Sequence, residues 1–183
     1  MSDSILRDIK RSFLLINIIY ILFFLLGFFF SDYFKEIFND GYIFNPENIQ
    51  IDSNKHIFVD IFNNNIRLGI KISFGVITLG LSSIFFIILN GFFFGIVSNF
   101  AINIYSLNYY LRLIVFHGII EILTFNLLAT ATIIPLIFIK NKIKNKRFKI
   151  SEYFKSYLFL TFLGLVLILI CALIESFVST LML

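Results

Sequence analysis

Charged residues are scarce in this chain, and their scarcity excludes a soluble globular protein. Only 14% of the 183 residues are Asp, Glu, Lys or Arg, whereas 59% are hydrophobic and the mean hydropathy is +0.94. Soluble domains carry roughly 25% charged residues. The chain has too few charged side chains to cover a water-facing surface, so we expect it to be stable only against lipid or another protein.

Cysteine and tryptophan are rare or missing as well. The single cysteine, Cys171, lies in an apolar run. Because one cysteine cannot form a disulfide within the chain, cysteine usage does not indicate an oxidising or a reducing compartment. Because tryptophan is absent, Tyr and Phe must supply the aromatic residues at the membrane interfaces.

Long apolar runs are abundant, and a helix needs about 20 apolar residues to cross the hydrocarbon. We predict an all-α, polytopic transmembrane helical bundle that forms one domain over residues 1–183. The five predicted spans are about 12–30, 65–89, 91–106, 113–139 and 156–180. No small-x-small cleavage site follows the first run, which favours an uncleaved helix over a signal peptide.

The second and third predicted spans come from one stretch, 65–106, which is too long for a single helix. The pair Asn90-Gly91 is typical of a tight turn, so we expect the break there. The third span is then short, and either a tilted or a re-entrant helix would fit it. In the fourth span, Pro135 predicts a kink.

The loops predict the orientation of the bundle. A basic loop, 140–155, carries seven cationic residues against Glu152 alone, and three further cations precede the first span. The loop 31–64 carries six acidic residues against two lysines. Because cationic loops stay in the cytoplasm, we predict that the N-terminus and loop 140–155 lie inside, and that loop 31–64 and the C-terminus lie outside.

Several ionisable and amide side chains fall within the predicted spans, where each needs a partner or a water-filled cavity. Arg67 and Lys71 are four residues apart, as are His117 and Glu121, so each pair shares a helix face. We expect a polar cluster in the outer half of the membrane, in which Glu121 pairs first with Arg67. Its predicted members are Arg67, Lys71, Asn99, Asn103, His117, Glu121 and Glu175.

The residues alone leave several roles open for this cluster. Hydrogen bonds and ion pairs of this kind hold membrane helices together without further function. Arg67 and Lys71 could instead extend to the outer headgroups. His117, Glu121 and Glu175 could bind zinc or iron, although the second histidine of the zinc-protease motif is missing. Apart from that alternative, we expect no cofactor.

Two further features have simple interpretations. Gly91 and Gly95 form a G-x-x-x-G pattern, which predicts close helix packing within the chain. The loop 140–155 is short and tethered to the membrane, so we expect attraction to anionic lipid or a cytoplasmic partner but no nucleic-acid binding.

Three stretches together resemble the stage II sporulation protein M family of membrane proteins. They are Asn64-Asn65-Ile66-Arg67 with the later Asn90-Gly91 and Gly95, His117-Gly118-Ile119-Ile120-Glu121, and Ile174-Glu175-Ser176-Phe177-Val178-Ser179-Thr180. The first two match the family patterns N-N-x-R with N-G-x-x-x-G, and H-G-x-x-E. The third is similar to the pattern E-x-F-V-T-P, with Ser179-Thr180 in place of Thr-Pro. The resemblance implies a multi-helix protein of the prokaryotic plasma membrane whose polar residues face the interior.

The resemblance also implies a kind of function. The founding member is a membrane partner of cell-wall hydrolases, and similar small proteins occur in gene clusters for circular bacteriocins. We therefore expect a non-enzymatic scaffold or transport-associated subunit of a cell-envelope complex, with roles in bacteriocin maturation, export or immunity included. Its expected partners are the lipid bilayer and other membrane proteins, such as an ABC-type ATPase, a cell-wall hydrolase or a second copy. The alternatives are a metal-dependent membrane enzyme acting on a peptide, and a channel or carrier with an outward-facing polar cavity.

Overall fold

The computed structural model describes residues 3–34, 54–105, 107–144 and 149–181. Within these ranges the chain forms six α-helices and no strand, so the predicted all-α bundle is confirmed. The helices are α1 (Asp3–Phe30), α2 (Asn54–Ser73), α3 (Leu81–Tyr105), α4 (Leu107–Thr132), α5 (Ile134–Ile143) and α6 (Ile150–Leu181). Two short 3-10 helices, Ser31–Phe34 and Phe74–Thr78, extend α1 and α2.

Four segments are long and apolar enough to cross a membrane. They are Ile5–Phe34, Leu81–Ile104, Gly118–Ile143 and Ile150–Ser176. The predicted second span, 65–89, has no counterpart among them, because α2 carries many polar residues and the apolar part of that stretch belongs to α3. By length and apolarity, the described residues therefore supply four spans and not five.

The predicted turn at Asn90-Gly91 is wrong. Both residues lie inside α3, which continues for 25 residues, or about 37 Å, and is neither short nor re-entrant. The chain reverses at Leu79 and Gly80 instead, where φ is 55° and 93°. Glycine adopts such angles without a Cβ penalty. The Gly80 amide also donates a 2.8 Å hydrogen bond to the Gly75 carbonyl, which closes the turn.

A second interruption lies where Pro135 predicts it. Helix α4 ends at Thr132 and α5 begins at Ile134, because proline cannot donate the backbone hydrogen bond that would continue α4. The Thr132 hydroxyl lies 2.7 Å from the Ala129 carbonyl oxygen, and so shares its proton between this acceptor near the break and Ser83. Helices also extend into the predicted basic loop from both sides, and its residues 145–148 lie outside the described ranges.

Contacts between the helices define their relative directions. Gly91 of α3 lies against Tyr20, and Gly95 lies against Phe24 and Phe28, so α1 and α3 are parallel. Helix α4 is antiparallel to both: Asn126 bonds to Asn17 of α1, and Thr132 bonds to Ser83 of α3.

Helices α2 and α6 complete the bundle. Gly164 of α6 lies beside Leu128 of α4, and Cys171 bonds to Thr124, so α6 and α4 are antiparallel. Gly69 of α2 lies beside Ile168, and the Tyr157 hydroxyl reaches the Ser73 carbonyl at 3.5 Å, so α2 and α6 are antiparallel too. Direction thus alternates along the chain, and α2 occupies the position of the predicted second span despite its polarity.

The N-terminal part of α1 and the segment before α6 meet at the same end of the bundle. The Asn141 side chain donates a 3.0 Å hydrogen bond to the Asp8 carboxylate. Around this bond, Ile5 and Ile9 pack with Ile137 and Tyr153 in a small apolar cluster. The cationic N-terminus and the basic segment therefore lie at one end, as the predicted orientation requires.

Candidate functional site: an intramembrane carboxylate cluster

Two carboxylates approach each other between α4 and α6. Glu121 lies in the middle of α4 and Glu175 near the end of α6, and both are half-buried. The antiparallel packing of the two helices brings their carboxyl groups within electrostatic range of each other. Isolated charge is costly in hydrocarbon, so a pair of acidic groups at this position is a candidate functional site.

Three more polar side chains surround Glu121. Tyr20 of α1 is 3% exposed and Cys171 of α6 is 1% exposed, and both lie within electrostatic range of the Glu121 carboxyl group. Thr124 lies one helical turn from Glu121, bonds to the Cys171 thiol and donates to the Ile120 carbonyl at 2.7 Å. We call Tyr20, Glu121, Thr124, Cys171 and Glu175 the Glu121 cluster.

A layer of hydrogen-bonded side chains lies below the cluster, towards the basic end. Asn126 donates a 2.9 Å hydrogen bond to Asn17, linking α4 to α1. Further down, the Thr132 hydroxyl donates to Ser83 at 2.9 Å, and Ser83 donates to the Ile72 carbonyl at 2.6 Å. These bonds connect α4, α3 and α2 in the protein interior.

The structure does not place the predicted cations in this cluster. Arg67 and Lys71 are exposed on the outer face of α2. No ion pair joins Arg67 to Glu121, two residues that the structure describes, so the predicted pairing is not formed. The reason is the rotation of α2: Asn65, Gly69 and Ile72 are buried, and Arg67 points away from them.

The other predicted members lie elsewhere. The Asn103 amide donates to the Asn99 side chain at 2.8 Å, so these two residues bond to each other along α3. The His117 backbone belongs to α4, but its side chain is outside the described part of the chain. Of the seven predicted residues, Glu121 and Glu175 are the pair that the described contacts bring together from two different helices.

The family comparison covers all helices that form this site. The model of the family named Stage II sporulation protein M matches residues 16–180. The chain belongs to the stage II sporulation protein M family. No curated protein and no solved structure matches the chain.

Two of the three stretches that resemble the stage II sporulation protein M family meet at the Glu121 cluster. The H-G-x-x-E stretch supplies Glu121, and its Gly118 is buried. The last stretch supplies Glu175 and the buried Ser176, while the side chains of residues 177–180 are outside the described ones. In the first stretch, Asn64 is exposed and Asn65 is 5% exposed. The family pattern thus includes both inward and outward residues.

The glycines of the N-G-x-x-x-G stretch serve helix packing in this family member. A Cβ on Gly91 would lie 2.9 Å from the Tyr20 carbonyl oxygen, and one on Gly95 would overlap the Phe24 carbonyl oxygen. Both glycines therefore allow the α3 and α1 backbones to touch. Asn90, which directly precedes Gly91 in α3, is half-buried.

The chemistry available to the cluster is that of two carboxyl groups, a phenol, a hydroxyl and a thiol. No group of three metal-ligating side chains is found among the described residues. The predicted ligand set of His117, Glu121 and Glu175 includes the His117 side chain, which is outside the described residues.

Sequence reasoning missed Tyr20, although an isolated Tyr in the apolar first span was a signal. It also missed Asn17 and Asn126, each a lone amide within an apolar run.

Proposed function

We propose that this member of the stage II sporulation protein M family is a non-enzymatic scaffold or transport-associated subunit of a cell-envelope complex. Its location would be the prokaryotic plasma membrane, with several membrane crossings. The observation that supports this proposal is the burial of the side chains beside Glu121, whose own carboxyl group is half-buried. Tyr20 and Cys171 are almost fully buried beside Glu121, and the neighbouring polar groups are used in bonds between helices. Such an arrangement stabilises a bundle and leaves its outer faces for partners.

The native cysteine makes this proposal testable, because Cys171 is the only thiol and lies beside Glu121. In proteoliposomes, a water-soluble maleimide should leave Cys171 unlabelled until the protein is denatured in SDS. A positive control is Ser151→Cys in a Cys171→Ser background, because Ser151 is exposed at the basic end. Rapid labelling of native Cys171 would reveal water beside Glu121 and would contradict an enclosed, purely structural cluster.

The partners of such a subunit follow from the same proposal. An ABC-type ATPase or a cell-wall hydrolase would suit a membrane scaffold, and maturation, export or immunity of a circular bacteriocin would suit its small size. Co-purification of the tagged chain in mild detergent with a co-expressed candidate ATPase or hydrolase tests this. Retention of neither partner would count against the cell-envelope assignment.

A cation carrier is a second candidate, and the proximity of Glu121 and Glu175 favours it. Two neighbouring carboxylates attract a cation, and buried acidic groups often mark ion pathways. If the chain is a carrier, Glu121→Gln and Glu175→Gln should each reduce cation flux in liposomes without lowering the yield of folded protein. Flux that is indistinguishable from empty liposomes in the wild type would eliminate this candidate.

A further inference from the structure

Helix α2 is polar, yet it lies at the depth of the most apolar helices. Gly69 packs against Ile168 of α6 and Leu128 of α4, and both partners lie within membrane-capable segments. Ile72 belongs to the central apolar core. At 1.5 Å per residue, Arg67 lies about 3 Å along the α2 axis from Gly69. Arg67 is therefore at the level of the hydrocarbon.

The outward face of α2 carries a stripe of polar side chains. Its members, all exposed, are Asp60, Asn63, Asn64, Arg67 and Lys71. Their spacing of three and four residues places them on one side of the helix, opposite the buried Asn65, Gly69 and Ile72. We call these five residues the α2 stripe.

The cations of the α2 stripe lack an acidic partner within the part of the chain that the structure describes. Neither Arg67 nor Lys71 forms an ion pair there. Asp60 lies seven residues before Arg67, about 10 Å along the axis, which is too far for a direct bond. Lys71 is near the end of α2 and has a route to the headgroups at the basic end. Arg67 lies one helical turn further from that end. A guanidinium group that faces acyl chains at this depth has a high free-energy cost.

We propose that the α2 stripe binds a transmembrane helix of a partner protein that carries a carboxylate at the depth of Arg67. Charge complementarity supports an acidic partner. The stripe spans 11 residue steps, about 16 Å, which suits a helix lying alongside. Asn63 and Asn64 offer amide groups for hydrogen bonds between helices, and the exposed Ile70 (44%) provides apolar contact beside them.

A second copy of this chain fits the stripe less well. Two copies with the same orientation are related by an axis along the membrane normal, so two α2 stripes that pack on each other at this axis bring Arg67 to the same depth as its equivalent. Arg67 would then face Arg67, and like charges in hydrocarbon repel each other. The acidic helix therefore belongs to a different chain.

The proposal can be tested with a synthetic membrane helix as the probe. A Leu/Ala-rich transmembrane peptide with one central Glu, and its matched Gln version, are reconstituted with the labelled protein in phosphatidylcholine vesicles. Association is measured by energy transfer. We expect the Glu peptide to bind about fivefold more tightly than the Gln peptide, the size of one good polar contact between membrane helices.

Three variants identify the stripe as the binding surface. Arg67→Leu should abolish the preference for the Glu peptide, Arg67→Lys should retain it, and Asn103→Leu, on the exposed part of α3, should leave it unchanged. Equal binding of the Glu and Gln peptides by the wild type would overturn the proposal.

Two other occupants give distinguishable results that also overturn it. An anionic lipid would appear as Arg67-dependent retention of phosphatidylglycerol in native mass spectrometry, with loss of peptide binding in phosphatidylglycerol vesicles. A homodimer would appear as a wild-type dimer in detergent that Arg67→Leu converts to a monomer. This inference deepens the scaffold proposal and rests on it, but the two fail separately, because Cys171 labelling reports on the Glu121 cluster and peptide binding reports on α2.

Discussion

Asn126 donates a 2.9 Å hydrogen bond to Asn17, which lies 109 positions earlier in the chain. Asn17 in turn donates to the Phe13 carbonyl of its own helix at 2.7 Å. Asn126 is fully buried, so little water competes for its amide. The pair connects α1 to α4 just below the Glu121 cluster and helps to fix the antiparallel packing on which that cluster depends.

The energetic role of this amide pair is measurable with a double-mutant cycle. Asn17→Leu and Asn126→Leu should each lower the free energy of unfolding by about 1 kcal/mol, because each removes one partner of this hydrogen bond and leaves the other partner, Asn126 Nδ2 or Asn17 Oδ1, without it. The double variant should lose less than the sum of the single losses, since both polar groups are then removed. Unfolding by SDS in mixed micelles gives the four free energies. Strict additivity would show that the bond contributes no coupling.

A second prediction concerns the contact between α1 and α3. Gly95→Ala should lower the free energy of unfolding by about 1–3 kcal/mol, because the added Cβ overlaps the Phe24 carbonyl and forces two backbones apart. Gly91→Ala should cost less, since its Cβ would lie 2.9 Å from the Tyr20 carbonyl oxygen and a small shift relieves it. Thermal unfolding in detergent should reproduce this order. Equal losses, or none, would contradict the close packing.

Sequence reasoning recognised the membrane helices but misplaced the turn between α2 and α3. Asn-Gly is a strong local turn signal, yet Asn90 and Gly91 are helical, and Gly91 packs against α1. The real turn lies within apolar sequence, where Gly80 is the main local signal. Local propensity alone could not separate a packing glycine from a turn glycine, because the difference depends on a helix some 70 residues away.

The candidate site was predictable in part. The cost of charge in hydrocarbon singles out Glu121 and Glu175, and the structure places these two carboxyl groups within electrostatic range of each other. The same argument failed for Arg67, because it assumes that every ion turns inward within one chain. The rotation of α2 is set by the burial of Gly69 and Ile72, and their spacing of three residues was visible in the sequence. A charged side chain on the opposite face, such as Arg67, can instead be neutralised by a group of another molecule.

A third prediction tests the corrected turn. Gly80→Ala should lower the free energy of unfolding by about 1–3 kcal/mol, because φ is 93° at this position and a side chain there is strained. The new Cβ would also lie 2.6 Å from the Cγ1 atom of Ile133. Asn90→Ala is the matched control, since Asn90 is half-buried within α3 and alanine favours a helix. If Asn90→Ala were the more damaging change, the chain would reverse near Asn90 after all.

The fourth prediction follows from the shared end of α1 and the basic segment. Asn141 bonds to Asp8, so the N-terminus and the start of α6 lie on one side of the membrane, and Tyr33, beyond the far end of α1, lies on the other. In a Cys171→Ser background, a membrane-impermeant maleimide applied to intact cells should label Tyr33→Cys, which replaces a residue 80% exposed, and should spare Ser151→Cys. Permeabilised cells should show labelling of both. The expected side follows from the excess of cationic residues around α6 and the N-terminus, which resist translocation. Labelling of Ser151→Cys in intact cells would show that the bundle has the inverted orientation, with the same helix packing. The α2 stripe and its partner helix would then cross the membrane in the opposite direction.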